Sequence, residues 1–345
     1  MKILLTTTSF QDTPGAHHDL LKQTGWEIIT ARGPLNEADT LALVGDVDGY
    51  ICGDDAITRQ VLEKARPKLK VLSKYGIGVD KIDVKSCTEF GIPLLFTPGV
   101  NHTTVAEHNF LLLLALEKNF LFHTDSTRSG DAKTNWKRKT GHELLDKTIG
   151  IIGLGRIGKE VAIRSHAFGM KVIAFDKHFD EAFGKQYDVK KANSFDEIYA
   201  ASDYISLHTN LTPETRDMIS AKSFAKMKPG VLILNCARGE IVNTNDMVAA
   251  LKSGQVGGYG TDVLDHEPPA ADHPLLKLPN VVCTPHVASR TYESVARQAT
   301  CAVKNLILAM NGEKPIAQVN PEVPVKKVFR HETGLAAAHT GSNTR

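Results

Sequence analysis

The segment "TIGIIGLGRIGKEVA" (Thr148 to Ala162) sets the fold of the larger part of this chain. It opens with apolar and small residues typical of a buried strand, and a glycine-rich turn leads from them into an amphipathic helix. Gly153, Gly155 and Gly158 have the spacing G-x-G-x-x-G. In this setting the first glycine permits a tight turn, the second lets a pyrophosphate approach the backbone, and the third lets the helix lie close to the strand. The segment therefore predicts a Rossmann dinucleotide site.

The next strand, "KVIAFD", ends in an acidic residue, Asp176. A carboxylate at this position accepts hydrogen bonds from the adenosine ribose and repels a 2′-phosphate, so we expect NAD rather than NADP. Arg156 and Ile157 lie between the second and third glycines, where the N–H groups of the helix N-terminus would meet the phosphates. The alternative is a glycine-rich turn without a ligand, and the complete strand–turn–helix–acid pattern favours the dinucleotide.

Strand-like runs alternate with helix-like segments along most of the chain, in two blocks on either side of a longer helical region. This alternation predicts an α/β protein with parallel sheets, built from two Rossmann-like or flavodoxin-like domains. We predict a substrate domain of residues 1–101 plus 290–320, with an NAD-binding domain of residues 102–289 inserted into it. Residues 321–345 are expected to form a partly disordered tail.

The central helical region runs from His102 to about Phe122 and is apolar on nearly every side, which indicates burial at the join between the two domains. Thr104 and Glu107 have the spacing of a capping box, so the helix is predicted to start at Thr104. The polar segment 123–141 that follows is expected to be a loop or an arm. Its single tryptophan, Trp136, would dock on a second subunit or on its own domain.

The composition is that of a soluble globular protein: 345 residues, 42% hydrophobic, 23% charged, with a net charge of +2. A charge this close to zero argues against nucleic acid or an anionic membrane as a main partner. The longest apolar run, "FLLLLAL" (Phe110 to Leu116), is far shorter than a membrane span. An odd number of cysteines without a C-x-x-C pair, and an N-terminus unlike a signal peptide, favour a reduced, cytoplasmic protein, and no metal site is expected.

Three polar residues follow apolar runs in the second block: Arg238 in "VLILNCARGE", Glu267 in "GTDVLDHEPP" and His286 in "VVCTPHVAS". A continuous apolar run indicates a parallel strand covered on both faces, and ligands bind outside the carboxyl ends of such strands. Arg238 therefore stands where a ligand anion would be met. Taken singly, each residue has a structural alternative: a surface arginine that closes a loop, a turn carboxylate, and a satisfied loop histidine.

The dinucleotide motif, these three residues in this order, and "SKYGIGVDKID" near the N-terminus together resemble the D-isomer-specific 2-hydroxyacid dehydrogenase family over roughly residues 1 to 320. The chain looks most similar to its short-form D-3-phosphoglycerate dehydrogenases. The resemblance implies an NAD-dependent oxidoreductase that interconverts a D-2-hydroxy acid and its 2-keto acid by hydride transfer. It also implies a homodimer, formed through the nucleotide domain and its arm.

This reaction needs the residue types found at the three strand ends. Oxidation of a 2-hydroxy acid removes the hydroxyl proton while hydride leaves C2, and His286 is the candidate base. Glu267 beside it would favour the imidazolium. The planar fork of Arg238 matches the substrate carboxylate in two-point fashion and could polarise the carbonyl.

The resemblance implies roles for several further residues. Asp262 would contact the nicotinamide carboxamide, Ala237 would lie against the same ring, and His208 and Thr209 would form the adenine and ribose wall. On the substrate side it points to Asn101 and to a small anion nest of backbone N–H groups at Ile77 and Gly78.

The identity of the substrate is the least determined part. In phosphoglycerate dehydrogenases a basic residue often follows the strand that here reads "GYICGDDAIT", whereas this chain has Asp54 and Asp55, which would repel a phosphate. Lys74 is a possible replacement, and the arm could contribute Arg128, Lys137 and Arg138. We expect 3-phosphoglycerate first, then hydroxypyruvate, glyoxylate, D-lactate or a sugar-derived acid. An alternative of another class is an NAD-sensing transcriptional co-regulator.

Overall fold

The computed structural model describes residues 1–129 and 136–328. Part of the predicted arm and most of the predicted tail lie outside the described residues. The chain divides into two compact units, the first formed by Met1–Pro98 and Ala296–Arg345 and the second by Gly99–Val295. The chain leaves the first unit, builds the whole of the second, and returns to the first within its last described helix.

The first unit contains a five-stranded parallel sheet in the order β2-β1-β3-β4-β5, which is the flavodoxin-like order. Its strands are β1 (Lys2–Leu5), β2 (Glu27–Thr30), β3 (Gly49–Cys52), β4 (Val71–Lys74) and β5 (Leu94–Leu95). Its helices are α1 (Thr8–Asp12), α2 (Ala16–Lys22), α3 (Glu37–Leu43), α4 (Arg59–Ala65) and α5 (Val84–Glu89). Side chains alternate across the sheet: Ile3 and Leu5 join one apolar cluster and Leu4 joins another.

The second unit contains a seven-stranded parallel sheet in the order β12-β11-β10-β9-β6-β7-β8. Its strands are β6 (Thr148–Ile152), β7 (Lys171–Phe175), β8 (Val189–Lys191), β9 (Tyr204–Leu207), β10 (Val231–Asn235), β11 (Val256–Thr261) and β12 (Val281–Cys283). This is the Rossmann order with one added strand, and its switch point lies between β6 and β9. The predicted α/β class with two parallel sheets is confirmed.

The helices complete both units. Those after β5 are α6 (His102–Glu117), α7 (Phe120–Arg128), α8 (Arg156–Ala167), α9 (Glu181–Gln186), α10 (Phe195–Ala201), α11 (Ala221–Phe224), α12 (Thr244–Ser253) and α13 (Tyr292–Met310). In the described part of the chain, every helix is too short or too polar to cross a membrane. All five cysteines are free; Cys52 and Cys87 are fully buried and the other three are half-buried.

Helix α6 differs from its predicted limits. It begins at His102, so Thr104 lies inside it and is buried, while Glu107 pairs with Arg164 at 3.7 Å. The predicted capping box is therefore wrong, because neither side chain is at the helix start. Near Asn119, whose φ is +49°, the helical path breaks and restarts as α7, so residues 123–128 are helical rather than part of a loop.

The apolar character of α6 is explained by close packing on the sheet. A Cβ atom built on Gly260 of β11 would lie 3.0 Å from Cβ of Leu112, and one built on Gly258 would lie 3.1 Å from a methyl carbon of Leu116. Glycine at these strand positions lets the helix approach the strand closely. The helix thereby brings His108 to Thr284, which follows β12, and Asn109 to Ser206 in β9.

Candidate active site

The glycine turn after β6 has the geometry of a phosphate cradle. Gly153 has a φ of +98°, and a Cβ atom there would lie 2.5 Å from the carbonyl oxygen of His208. A Cβ atom on Gly158 would lie 2.1 Å from the carbonyl oxygen of Gly153. On Gly155, by contrast, it would meet nothing within 4 Å. Gly153 and Gly158 therefore allow close packing, whereas Gly155 faces open space. This arrangement fits a pyrophosphate at the N-terminus of α8.

Asp176, immediately after β7, is tied to this turn. Its Oδ2 accepts a hydrogen bond from the N–H of Leu154 at 2.7 Å, and its Oδ1 accepts one from the N–H of His178 at 2.7 Å. Each carboxylate oxygen has a second lone pair, so the side chain can still accept from ribose hydroxyls. Arg156 begins α8, and its guanidinium lies close to Gly99. Ile157 packs partly buried against the core.

His208 and Thr209 follow β9 at the switch point. The Nε2 of His208 lies 2.7 Å from Oγ of Ser206, which donates its hydrogen to Oδ1 of Asn109 at 2.8 Å. His208 must therefore donate from Nε2, since the Ser206 hydroxyl has only one hydrogen. Burial lowers the pKa of His208 to about 3, so the ring is neutral at pH 7. His208 and Thr209 form a wall beside the glycine turn. Their contact with adenine and ribose stays a prediction.

The turn that carries Arg238 is shaped by a residue that the sequence does not single out. Asn235 is fully buried at the end of β10; its Oδ1 accepts from the N–H of Ala237 at 3.0 Å and its Nδ2 donates to the carbonyl of Arg238 at 2.8 Å. The only signal for it in the sequence is a polar residue in an otherwise apolar run. Both Ala237 and Arg238 are half-buried, and Arg238 folds back to donate to the carbonyl of Ala237.

The loops after β10, β11 and β12 meet at one place. A Cβ atom on Gly239 would lie 1.9 Å from the carbonyl carbon of Leu264, so the Arg238 loop rests directly on the loop that carries Glu267. Leu264 in turn donates its N–H to Oε1 of Glu267 at 3.0 Å. The other oxygen, Oε2, lies 2.8 Å from Nδ1 of His286. The structure thus brings the loops of the three predicted catalytic residues together.

The Glu267–His286 pair is partly open to solvent, with side-chain exposures of 32% and 35%. Because a carboxylate only accepts, Nδ1 of His286 carries the proton of this hydrogen bond. In the neutral ring, Nε2 is then the nitrogen with the lone pair, as an acid–base group needs. The sharing of the carboxylate between Leu264 and His286 fixes the orientation of the ring.

Asp262, predicted to contact the nicotinamide, is 1% exposed. Its Oδ1 accepts from Oγ1 of Thr284 at 2.6 Å and from the N–H of Val287 at 2.9 Å, and its Oδ2 accepts from the N–H of Ala288 at 2.7 Å. These donors occupy a carboxylate with little surface left for a ligand. The geometry therefore shows an anchor for the His286 loop, and a contact with the carboxamide stays only a prediction.

That loop holds His286 in an uncommon conformation. Its φ is +53°, a left-handed value that costs a residue other than glycine about 1–3 kcal/mol. The N–H of His286 donates to the backbone carbonyl of Asp262 at 2.8 Å, so the strained residue is fixed from the same anchor.

The predicted substrate-side residues occupy both units. In the second, Asn101 precedes α6 and its Oδ1 is buried with no protein partner among the described residues. A buried acceptor without a partner is unusual and is consistent with a ligand contact. In the first, Ile77 and Gly78 follow β4 in an open loop, where Ile77 is 37% exposed.

The two acidic residues after β3 have different environments, which corrects the expectation that both would repel a phosphate. Asp55 is fully buried and accepts from Leu35 N–H at 2.7 Å and Gly53 N–H at 3.0 Å, so it does not face a ligand. Asp54 pairs with Nζ of Lys74 at 2.8 Å. Lys74 is 3% exposed and also donates to the carbonyl of Gly53. The cation expected to replace a phosphate-binding residue is therefore already paired. The arm residues Arg128, Lys137 and Arg138 are all exposed.

Comparison with known proteins gives consistent matches. The sequence model described as D-isomer specific 2-hydroxyacid dehydrogenase, NAD binding domain, matches residues 110–288. A glyoxylate reductase of Korarchaeum cryptofilum is 39% identical over 78% of this chain and 81% of its own length. A D-3-phosphoglycerate dehydrogenase of Methanocaldococcus jannaschii is 36% identical over 95% of this chain, which spans only 61% of that relative.

Solved structures agree with this result. The TT0316 protein from Thermus thermophilus has a TM-score of 0.83 and 35% identity, with 92% of this chain and all 100% of that one covered. The D-lactate dehydrogenase from Aquifex aeolicus, solved with NAD and lactic acid, has a TM-score of 0.81 and 29% identity over 93% of this chain and 99% of that one. The match to the NAD-binding domain establishes NAD as the cofactor.

Proposed function

The chain belongs to the D-isomer-specific 2-hydroxyacid dehydrogenase family, and we propose that Arg238, Glu267 and His286 are the catalytic residues of its NAD-dependent reaction. The observation that carries the assignment is the 2.8 Å contact between Nδ1 of His286 and Oε2 of Glu267, at the carboxyl edge of the sheet that holds the glycine turn. A carboxylate that orients an imidazole and stabilises its charged form is the arrangement that a general acid–base group needs.

Each residue has a defined part in the reaction. Bound NAD supplies the acceptor for the hydride that leaves C2 of the 2-hydroxy acid. His286 takes the hydroxyl proton at Nε2, and Glu267 stabilises the imidazolium that forms. In the reverse direction, His286 returns that proton to the ketone oxygen. Arg238 holds the substrate carboxylate through two parallel hydrogen bonds.

The cofactor is proposed to lie along the glycine turn and the ends of β7, β9 and β10. The residues that we place against it are Gly153, Gly155, Arg156, Ile157, Gly158, Asp176, His208, Thr209 and Ala237. The open face at Gly155 and the remaining lone pairs of Asp176 support this placement. Asp262 is left out because its carboxylate is buried and already has three donors.

We propose a small unphosphorylated 2-keto acid, such as glyoxylate or hydroxypyruvate, as the preferred substrate, with 3-phosphoglycerate as the second candidate. This reverses the order expected from the sequence. The observation that favours the reversal is the state of Lys74, which is buried and paired with Asp54 and is therefore not available to a phosphate. An NAD-sensing role has no specific observation in its favour.

We also infer a homodimer. Large apolar side chains are exposed on α6, on α7 and after it: Leu111, Phe120, Leu121 and Trp136, the last at 73% exposure. Exposed apolar side chains that form one patch commonly mark an interface with another protein, and we infer that these residues form such a patch. Sedimentation velocity of the wild-type protein and of Trp136→Ser tests the inference, and a monomeric wild-type protein would overturn it.

The test of the reaction is NADH oxidation with a panel of phosphorylated and unphosphorylated 2-keto acids, compared between the wild-type protein and His286→Asn. We expect turnover with at least one unphosphorylated acid and a loss of about a hundredfold or more in kcat for the variant. The Kd for NADH, measured by fluorescence titration, should stay the same. Full activity of the variant would remove His286 from the mechanism, and a preference for 3-phosphohydroxypyruvate would restore 3-phosphoglycerate as the substrate.

A further inference from the structure

Helix α6 carries a polar residue, His108, whose side chain is only 12% exposed. Its Nε2 lies 2.8 Å from Oγ1 of Thr284, which follows β12. Thr284 is two residues before His286 in the chain. A side chain on the helix therefore reaches the loop of the proposed acid–base group, although it is remote from that loop in sequence.

The direction of the hydrogen bonds in this contact follows from the number of available hydrogens. Oγ1 of Thr284 lies 2.6 Å from Oδ1 of Asp262, and a carboxylate can only accept. The single hydroxyl hydrogen of Thr284 is thus donated to Asp262. The contact with His108 must then be donated by the ring, so Nε2 of His108 carries a proton. Burial lowers the pKa of His108 more than the nearby Asp262 carboxylate raises it, so the ring is the neutral Nε2–H tautomer.

The far end of this chain of hydrogen bonds is the backbone around His286. The carboxylate of Asp262 accepts the N–H groups of Val287 and Ala288, the two residues that follow His286. The backbone carbonyl of Asp262 accepts the N–H of His286 itself. Residues on both sides of the left-handed His286 are thereby fixed to one buried carboxylate, and Thr284 connects that carboxylate to α6.

We propose that His108 is a positioning residue: it donates through Thr284 to Asp262 and so holds the loop that presents His286 to the substrate. Because His286 is the acid–base group only under the function proposed above, the effect of His108 on turnover depends on that function. The direction of the hydrogen bonds does not depend on it. Removal of His108 leaves a lone pair of the half-buried Thr284 hydroxyl without its donor, which weakens the anchor without touching substrate or cofactor.

Two pairs of variants separate hydrogen bonding from packing. His108→Gln keeps an N–H donor at a similar reach, whereas His108→Leu has a similar volume and no donor. Thr284→Ser keeps the hydroxyl, whereas Thr284→Val replaces it with a methyl group. We expect His108→Leu and Thr284→Val to lower kcat about tenfold, and the two conservative variants to stay within about twofold of wild type. The KM for the 2-keto acid and the Kd for NADH should hardly change, since these residues act on the loop alone.

The double variant tests whether His108 acts through Thr284. In the Thr284→Val background, the further change His108→Leu should lower kcat no more than Thr284→Val alone. Additive losses of kcat would overturn the proposal that His108 acts through Thr284. An unchanged kcat in His108→Leu, or an equal loss of kcat in His108→Gln, would also overturn it. Thermal unfolding of each variant is the control for folding.

A measurement without turnover makes the two proposals separable. The ¹⁵N spectrum of histidine-labelled wild-type protein, with His108 assigned by comparison with His108→Gln, reports which ring nitrogen is protonated. We expect the Nε2–H form, unchanged through neutral pH. The Nδ1–H form at neutral pH, in which Nε2 cannot donate to Thr284, would overturn the positioning role. Absence of turnover on every 2-keto acid, together with the Nε2–H form, would overturn the proposed function and leave the hydrogen-bond direction intact.

Discussion

Oε2 of Glu267 lies 2.8 Å from Nδ1 of His286, while Oε1 of the same carboxylate accepts the N–H of Leu264 at 3.0 Å. Both oxygens are therefore used: Oε1 binds the loop that carries Glu267, and Oε2 binds the imidazole of His286. This fixes the proton on Nδ1 and makes Nε2 the reacting nitrogen. The pair also places a negative charge beside a ring that becomes positive during oxidation of the substrate.

Glu267→Gln should lower kcat by at least about tenfold and shift the pH–rate profile to lower pH. The amide removes the charge that stabilises the imidazolium, so the ring loses its proton at lower pH. In the oxidation direction the base must be neutral, and the rising limb of kcat/KM moves to lower pH. In the reduction direction the acid must be protonated, and the falling limb moves the same way.

The measurement is a set of steady-state assays across pH in both directions, with His286→Asn as the inactive reference. The amide also has only one acceptor oxygen for two N–H donors, which adds a loss of kcat at every pH. A lower kcat with both limbs unmoved would mean that Glu267 orients the ring without an electrostatic contribution.

Asp176→Ala should weaken NADH binding and change the preference between the two nicotinamide cofactors. The variant loses the ribose acceptors and also the contacts with the N–H groups of Leu154 and His178. We expect the ratio of the NADPH and NADH dissociation constants to move toward NADPH by about tenfold, because the carboxylate no longer repels a 2′-phosphate. Asp180→Ala removes the same charge nearby without these contacts and should leave the ratio as in wild type; an equal ratio in both variants would contradict the ribose role.

The glycine turn gives a matched pair of substitutions. At Gly155 an added methyl meets nothing within 4 Å and the φ is −75°, so Gly155→Ala should fold with an unchanged Tm. It should nevertheless weaken NADH binding about tenfold, since the methyl fills the space expected for the pyrophosphate. Gly158→Ala should instead lower the free energy of unfolding by about 1–3 kcal/mol, because its methyl would lie 2.1 Å from a backbone oxygen. Normal NADH affinity in Gly155→Ala would place the phosphates elsewhere.

The features of the fold and of the site that could be predicted from the sequence are those that depend on local patterns of residues. The β-α alternation predicts the two parallel sheets. The apolar runs that precede Arg238 and His286 place both residues at the carboxyl ends of strands, and all strands of a parallel sheet end on the same side. The glycine spacing predicts the turn after β6, because the three glycines lie within one short segment of the chain. Each of these inferences needs only residues that are close together in the chain.

Contacts between distant segments could not be predicted in this way. The acidic pair after β3 suggests two exposed charges. Asp55, however, is fully buried and accepts hydrogen bonds from the backbone N–H groups of Leu35 and Gly53. Likewise, His108 reaches Thr284 only because glycines in β11 let α6 lie directly on the sheet. The predicted start of α6 failed because Glu107 has the local spacing of a cap, whereas its actual partner, Arg164, comes from α8.

Gly239 tests whether the Arg238 and Glu267 loops act as one unit. A methyl at this position would lie 1.9 Å from the carbonyl carbon of Leu264, so the two backbones must separate to admit it. Separation displaces Arg238 on one side and, through Leu264, the carboxylate of Glu267 on the other. Gly239→Ala should therefore raise the KM for the 2-keto acid and lower kcat, each by about tenfold or more.

The same variant should weaken NADH binding far less than it raises KM, since Ala237 is the only proposed cofactor contact on this turn and the glycine turn after β6 is not involved. Glu240→Ala, on the same turn but without the backbone clash, is the control and should keep both kinetic constants. If Gly239→Ala raised KM alone, Arg238 would be displaced while Glu267 and His286 kept their geometry, and the loops would be independent. If it left both constants unchanged while Tm fell, the close packing at Leu264 would serve stability and not the alignment of the three catalytic residues.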